Sequence, residues 1–137
     1  MRAVLFSMIA VLALAAACTT PVPETSAVAV AEPVPDSLLR HVVLFKFNDE
    51  SSEADVAGVV DAFRALPSKI DAIYDFEYGT DNSPEGLADG FTHSFLVTFR
   101  TEADREVYLP HPDHQAFVDV LQPHLDKVLV IDYWTKE

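Results

Sequence analysis

The clearest structural pattern in the sequence is residues 39–47, Leu39-Arg40-His41-Val42-Val43-Leu44-Phe45-Lys46-Phe47. Successive side chains fall into two registers: His41, Val43, Phe45 and Phe47 in one, and Arg40, Val42, Leu44 and Lys46 in the other. A repeat of two residues is the repeat of a β-strand, whose neighbouring side chains point to opposite faces. Both registers contain aliphatic residues, so we predict a strand that is apolar on both faces.

Three helices are predicted from their start signals. Ser52 followed three residues later by Asp55 is a capping box, and Thr101 with Asp104 repeats it. Pro112 suits the first turn of a third helix. Apolar residues recur at helical spacing in the first helix, as Val56, Val59, Val60 and Phe63 before Pro67, and in the third, as Phe117, Val118 and Leu121. The short second helix carries Val107 and Tyr108 and is interrupted by Pro110.

Three further strands are predicted at Tyr74 to Tyr78, Phe91 to Phe99 and Val128 to Trp134, with a polar loop from Thr80 to Gly90. Gly79 is expected to end the second strand. The order β-α-β-β-α-α-β predicts an α+β fold of the ferredoxin-like plan, with the helices on one face of an antiparallel sheet.

The second register of the sheet is also apolar, because it contains Val42, Leu44, Leu96, Leu129, Ile131 and Tyr133. Helices can cover only one face. We therefore expect the other face to meet a second copy of the chain, sheet against sheet, in a two-fold homodimer. The alternative is that these are isolated surface aliphatics, which are common in monomers.

Residues 1–17 have the composition of a secretory signal peptide: Arg2, then an apolar run to Ala17 interrupted by Ser7. The run is shorter than the ~20 residues of a membrane-spanning helix. Ala15-Ala16-Ala17 before Cys18 resembles the lipobox of bacterial lipoproteins. That resemblance implies export, a lipid-modified Cys18 and anchoring in the cell envelope, and Thr19 resembles sorting to the outer membrane of a Gram-negative cell. The alternative is ordinary cleavage that leaves Cys18 as a free thiol.

The chain after this segment divides into a Pro- and Ala-rich tether, residues 18–36, and a folded domain, residues 37–137. All 22 acidic residues follow Ala17, and the net charge is −13. Such a surface repels polyphosphates, so nucleic acid is excluded as a partner. A single cysteine excludes an internal disulfide.

Residues 39–134 resemble the stress-responsive dimeric α/β-barrel (Dabb) family. The resemblance rests on residues 39–47, on Phe91-Thr92-His93, on the run from Tyr108 to His114 (sequence YLPHPDH), and on Val130-Ile131-Asp132-Tyr133. It implies a ferredoxin-like dimeric barrel. Most members have no assigned reaction, and a plant branch cyclises polyketides by aldol chemistry with a Tyr and His pair between helices and sheet. Carried over, the pair is Tyr108 and His114, with His41 beside them. The implied ligand pocket, for a small apolar molecule, is lined by Val43, Phe45, Val59, Phe63, Phe95 and Phe117.

The chemistry of this pair also follows from its position. His114 precedes Phe117 and Val118 by three and four residues, so it belongs to the core-facing stripe of its helix. An apolar wall and a helix N-terminus both lower an imidazole pKa, which favours a neutral base, and the Tyr108 phenol can donate a proton. Alternatively, both are bonded core residues, as are His41 and His93. The bulk of Phe63, Phe95 and Phe117 would then leave little room for a substrate.

Metal binding is disfavoured, because Pro112 and an inward-facing His114 would direct the His111, Asp113 and His114 side chains apart. The loop acids Asp81, Glu85 and Asp89 are more typical of a solvated surface. We expect no metal and no cofactor. The first hypothesis is thus an exported, membrane-anchored, homodimeric binding module, and the alternative is a small-molecule lyase or cyclase that uses Tyr108, His114 and His41.

Overall fold

The computed structural model describes residues 36–136. The predicted signal peptide, Cys18 and all of the tether except Asp36 lie outside the described residues. No helix in the described range is long and apolar enough to cross a membrane.

The described chain forms a four-stranded antiparallel sheet and three helices, which confirms the predicted ferredoxin-like α+β fold. The sheet order is β2-β3-β1-β4. The elements are β1 (Leu39–Phe47), α1 (Glu53–Arg64), β2 (Asp75–Thr80), β3 (His93–Phe99), α2 (Glu102–Tyr108), α3 (Pro112–Leu121) and β4 (Leu125–Trp134).

Four strand boundaries differ from the predicted ones, and the first is that β2 begins at Asp75 rather than Tyr74. Gly79 does not end β2, because it still pairs with Ser94 of β3. β3 begins at His93 rather than Phe91, whose N–H instead donates to the carbonyl of Ala88 and closes a turn. β4 begins three residues early, because its pairing with β1 continues past an irregularity to Leu125.

The predicted helix starts are confirmed by hydrogen bonds. Ser52 Oγ accepts from the Asp55 N–H at 3.2 Å, while Asp55 Oδ2 accepts from the Ser52 N–H at 2.9 Å. Thr101 and Asp104 repeat this reciprocal pair at 3.1 and 2.9 Å. Helix α3 is capped by His111, whose Nδ1 accepts from the Asp113 N–H at 3.2 Å. These caps fix where α2 and α3 begin, and so position Tyr108 and His114.

The core lies between the helices and the face of the sheet that carries His41, Val43 and Phe45. At its centre four phenylalanine rings pack on one another, which we call the aromatic cluster: Phe45, Phe63, Phe95 and Phe117. The ring centroid of Phe63 lies 4.4 Å from that of Phe117 and 4.5 Å from that of Phe95. The ring centroids of Phe45 and Phe95 are 5.1 Å apart.

The opposite face of the sheet, which we call the open face, carries the second apolar register. Register pairing places Leu44 beside Leu129 and Val42 beside Ile131. Within the single chain Leu129 and Ile131 are 40% and 50% exposed. The prediction that both faces of the sheet are apolar is therefore confirmed, and the open face has the composition of a surface that becomes covered.

Candidate acid–base site at Tyr108 and His114

Tyr108 is the last residue of α2, and its side chain is fully buried. Its ring packs against Phe99, His41 and His114, with centroid distances of 5.2, 5.9 and 4.3 Å. Burial raises the pKa of the phenol well above its ordinary value of 10.0. Tyr108 therefore stays protonated at neutral pH, and its hydroxyl is a hydrogen-bond donor.

The Tyr108 hydroxyl is buried and has no hydrogen-bond partner among the described residues. A buried polar group without a partner costs about 1–3 kcal/mol of folding free energy. Native proteins therefore rarely leave such a group unpaired, and those that remain unpaired are found where a water or ligand supplies the missing bond or where the group has a functional role. This orphan donor marks the position as a candidate site.

His114 lies in the first turn of α3 and is half-buried. Its Nδ1 lies 2.9 Å from the carbonyl oxygen of Leu109, and since a carbonyl only accepts, Nδ1 must be the protonated nitrogen. Nε2 of the neutral ring then carries the lone pair. The alternative prediction was that Tyr108 and His114 are both hydrogen-bonded core residues. It is correct for His114, which bonds a backbone carbonyl, but not for the Tyr108 hydroxyl, which has no partner among the described residues.

Burial lowers the pKa of His114 below its ordinary value of 6.5, the bond to Leu109 partly opposes this, and the nearby His41 and His111 lower it further. The predicted direction of the shift is confirmed. A neutral imidazole beside a protonated phenol is a base and an acid at neutral pH, which is the combination needed to move a proton next to a carbonyl group.

His41 is almost fully buried, as predicted. Its ring bonds Asp132, which in turn bonds Arg105, and neither of these two residues was identified from the sequence. Its Nδ1 lies 2.7 Å from Asp132 Oδ1, and Arg105 Nη1 donates to Asp132 Oδ2 at 2.6 Å. A signal for Asp132 was present, because it is an acid inside the apolar strand 125–134 and pairs directly with His41 in the antiparallel register. Arg105 has no such signal, since its contact depends on where α2 crosses the sheet.

His93 lies at the start of β3 and is half-buried rather than buried. Its Nδ1 is 2.9 Å from the Thr92 hydroxyl, and its ring meets Phe47 edge to face at 5.1 Å. Burial lowers its pKa. It belongs to the sheet face of His41 but not to the ring contacts around Tyr108.

The six residues expected to line a ligand pocket are all buried in the core, four of them as the aromatic cluster. A cavity of about 790 Å³ lies instead at the open face beneath the loop that joins β2 and β3, and one of about 380 Å³ lies between α1 and His93. Neither is lined by Tyr108 or His114. That these six residues line a ligand pocket therefore stays a prediction. A ligand that reaches Tyr108 must displace some of the side chains packed around it.

No group of three or more His, Cys, Asp or Glu side chains within residues 36–136 is arranged to hold a metal ion. The two histidines of the His111, Asp113 and His114 motif have other partners: His111 Nδ1 caps α3, and His114 Nδ1 bonds the carbonyl of Leu109.

A four-stranded antiparallel sheet with helices on one face and an apolar open face on the other defines the class of ferredoxin-like α+β domains. Within that class the chain belongs to the stress-responsive A/B barrel domain family, whose family model matches residues 39–135.

Two plant proteins are among its curated relatives. The chain is 36% identical over 95 residues to the stress-response A/B barrel domain-containing protein HS1 of Arabidopsis thaliana, covering 69% of this chain and 87% of that protein. It is 32% identical over 95 residues to olivetolic acid cyclase of Cannabis sativa, covering 69% of this chain and 94% of the cyclase.

Solved structures show the same fold. The hydroxynitrile lyase of Passiflora edulis superposes with a TM-score of 0.70 at 27% identity, covering 75% of this chain and 97% of the lyase. A dimeric ferredoxin-like protein of unknown function from Thermobifida fusca superposes with a TM-score of 0.60 at 28% identity, covering 71% and 90%.

Proposed function

We propose that this protein is a homodimeric binding module that takes a small, largely apolar carbonyl compound at Tyr108 and His114. The observation that carries the proposal is the buried Tyr108 hydroxyl, which has no partner among the described residues and whose ring lies 4.3 Å from that of His114. A ligand carbonyl would accept from this hydroxyl and satisfy it. Aromatic and aliphatic neighbours would hold the apolar part of the ligand, as is usual in small-molecule sites.

Ligand-observed NMR with 2-octanone as the probe tests this binding site. The ketone offers one acceptor and an apolar chain, so saturation transfer from protein to probe is expected, together with probe-induced shifts of the His114 ring signals. His124 serves as the internal control, since it bonds Ser51 in the segment between β1 and α1 and takes no part in the Tyr108 contacts. Equal shifts of both histidines, or no transfer, would contradict binding at this site.

The homodimer is supported by the apolar open face and by the dimeric structures that share this fold. A charge placed on the open face should oppose association, because pairing two sheets would bury it without a partner. Ile131→Glu is therefore expected to be monomeric at micromolar concentration while the unchanged chain is dimeric, as measured by light scattering. Val120→Glu, at a position that is equally exposed but lies on α3, is the matched control and should stay dimeric. A monomeric unchanged chain would refute the homodimer.

A second candidate function is a lyase or cyclase that uses Tyr108, His114 and His41. One observation favours it: the His114 Nδ1 is engaged by Leu109, which leaves the Nε2 lone pair as a base beside the phenol. Nε2 would remove a proton next to a ligand carbonyl while Tyr108 donates to the carbonyl oxygen that gains negative charge. Relatives named as a cyclase and a hydroxynitrile lyase support this chemistry without fixing the substrate.

We further propose that the domain is exported and anchored in the cell envelope. The support is in the sequence: the apolar segment 1–17, the small residues before Cys18, and the Pro- and Ala-rich tether. In a bacterial host, Cys18→Ser is expected to move the protein from the membrane fraction to the soluble fraction, because the acylated side chain is removed. Immunoblots of the two fractions measure this, and an unchanged distribution would contradict lipid anchoring.

A further inference from the structure

The Arg105–Asp132–His41 chain of hydrogen bonds joins α2 to β4 and β1, in addition to the backbone pairing of the two strands. Each group in this chain of bonds acts either as a donor or as an acceptor. Arg105 Nη1 can only donate, and both oxygens of Asp132 accept, one from Arg105 and one from His41. His41 Nδ1 must therefore carry a proton, and its Nε2, on the far side of the ring, points away from Asp132.

We propose that Arg105 and Asp132 are positioning residues that hold His41 in the Nδ1–H tautomer, so that Nε2 is a second hydrogen-bond acceptor for a ligand bound at Tyr108. The inference rests on the proposed small-molecule site and deepens it. The Tyr108 ring contacts both histidines, with ring centroids 5.9 Å from His41 and 4.3 Å from His114. The site offers one donor and two acceptors.

This pattern defines a class of ligand. The Tyr108 hydroxyl can donate to a carbonyl oxygen of the ligand. The Nε2 atoms of His41 and His114 can accept from one or two hydroxyl groups of the ligand. A site built to bond a hydroxyl discriminates strongly against the analogue that lacks it, because its own polar group is then left unpaired. We therefore expect a hydroxyketone or an enolised diketone to be preferred over a simple ketone.

Asp132→Asn isolates the tautomer, because asparagine has the shape of aspartate but only one acceptor oxygen. Arg105 can be satisfied only by that oxygen, so the amide NH₂ is turned toward His41 Nδ1. Two donors cannot face each other, and His41 is expected to change to the Nε2–H tautomer. An Asp→Asn change beside a histidine is known to act in this way.

Removal of Arg105 should reverse the effect. In the double variant Arg105→Met, Asp132→Asn, the amide can rotate its oxygen to His41, and the Nδ1–H tautomer returns. The matched control is Arg64→Met, Asp132→Asn, since Arg64 bonds Asp61 on an exposed helix face and is not in this chain of bonds. If Arg105 had a purely structural role, the Arg105→Met and Asp132→Asn substitutions would each lower stability, the two losses would add, and the Nδ1–H tautomer of His41 would not return in the double variant.

The test is nitrogen NMR of the His41 ring in the full chain without ligand, at about pH 8, above the ordinary histidine pKa of about 6.5. We expect an unprotonated Nε2 in the unchanged chain and in the Arg105→Met, Asp132→Asn double variant. We expect a protonated Nε2 in the Asp132→Asn single variant and in the Arg64→Met, Asp132→Asn control. A doubly protonated ring or an Nε2–H tautomer in the unchanged chain overturns the proposal, as does Asp132→Asn folding with the tautomer unchanged.

Ligand binding is read separately with 2-octanone and 1-hydroxy-2-octanone. His41→Phe removes the ring nitrogen Nε2 and should weaken binding of the hydroxyketone by about 10-fold, the effect of one hydrogen bond, and leave 2-octanone unchanged. Equal weakening of both probes would overturn the assignment of His41 as the hydroxyl acceptor. If neither probe binds the unchanged chain, the proposed small-molecule site is wrong, whereas the NMR readout still decides whether Arg105 and Asp132 set the tautomer.

Discussion

Phe63→Ala is expected to lower the free energy of unfolding by about 3–5 kcal/mol, the range for truncating a buried phenylalanine. The ring is 1% exposed and lies within 6.0 Å, centroid to centroid, of the three other members of the aromatic cluster. Its removal loses the transfer free energy of the ring and leaves a cavity that its rigid neighbours cannot fill. Urea denaturation followed by circular dichroism measures the change.

Phe47→Ala is the comparison, because Phe47 is also a phenylalanine of this sheet but is only partly buried, against Phe45 and His93. A smaller loss is expected there. The Phe63→Ala cavity also addresses access to the site, since apolar cavities bind apolar molecules. We expect Phe63→Ala to bind 2-octanone more tightly than the unchanged chain. Equal stability losses at the two positions would contradict the assignment of the aromatic cluster as the centre of the core.

If the lyase or cyclase candidate is right, His114→Ala should slow proton exchange at the carbon next to the carbonyl of 2-octanone by about 10²–10⁴-fold, the usual contribution of a positioned general base. Mass spectrometry of the ketone in D₂O measures deuterium uptake. Because burial lowers the pKa of His114, the base is already neutral at pH 7. The rate should therefore be flat near neutral pH and fall only as the pH drops through a midpoint below the ordinary 6.5.

His124→Ala is the matched control and should exchange at the unchanged rate, since His124 bonds Ser51 and lies outside the Tyr108 contacts. An unchanged chain that exchanges no faster than buffer would rule out the lyase or cyclase alternative while leaving the binding proposal standing. Exchange that survives in His114→Ala would assign the base to another residue.

Much of the fold follows from local sequence, because each element has its own signal. The two-residue repeat of 39–47 and the capping boxes at Ser52 and Thr101 appear in the structure where they were expected. Strand ends were less predictable. Whether Gly79 ends a strand depends on its partner, and the pairing with Ser94 across the sheet continues β2 past it.

The candidate site divides in the same way. Tyr108 and His114 are close in the chain and flank a helix junction, so their proximity could be expected from the Pro110 and Pro112 breaks. Asp132 could have been found by pairing the first and last strands, which sets it opposite His41. Arg105 could not, because an arginine on a helix surface has many possible partners until the crossing of α2 over the sheet is known. The close packing of the aromatic cluster is likewise a property of the assembled core.

Tyr108→Phe tests whether the Tyr108 hydroxyl is retained for a ligand. The substitution removes one oxygen from a fully buried ring and leaves the rest of the contact surface in place. If the hydroxyl has no partner in the free protein, its removal should raise the free energy of unfolding by about 1 kcal/mol, because an unsatisfied buried donor is eliminated. Binding of 2-octanone should weaken by about 10-fold, because the donor to its carbonyl is lost.

The measurement is a paired one on the same two proteins, with urea denaturation giving stability and NMR titration giving the dissociation constant. Tyr108→Phe is expected to be more stable than the unchanged chain and to bind the ketone less well. A variant that is less stable and binds the ketone as well as the unchanged chain would show that the hydroxyl is bonded within the folded protein, and would contradict the proposed site.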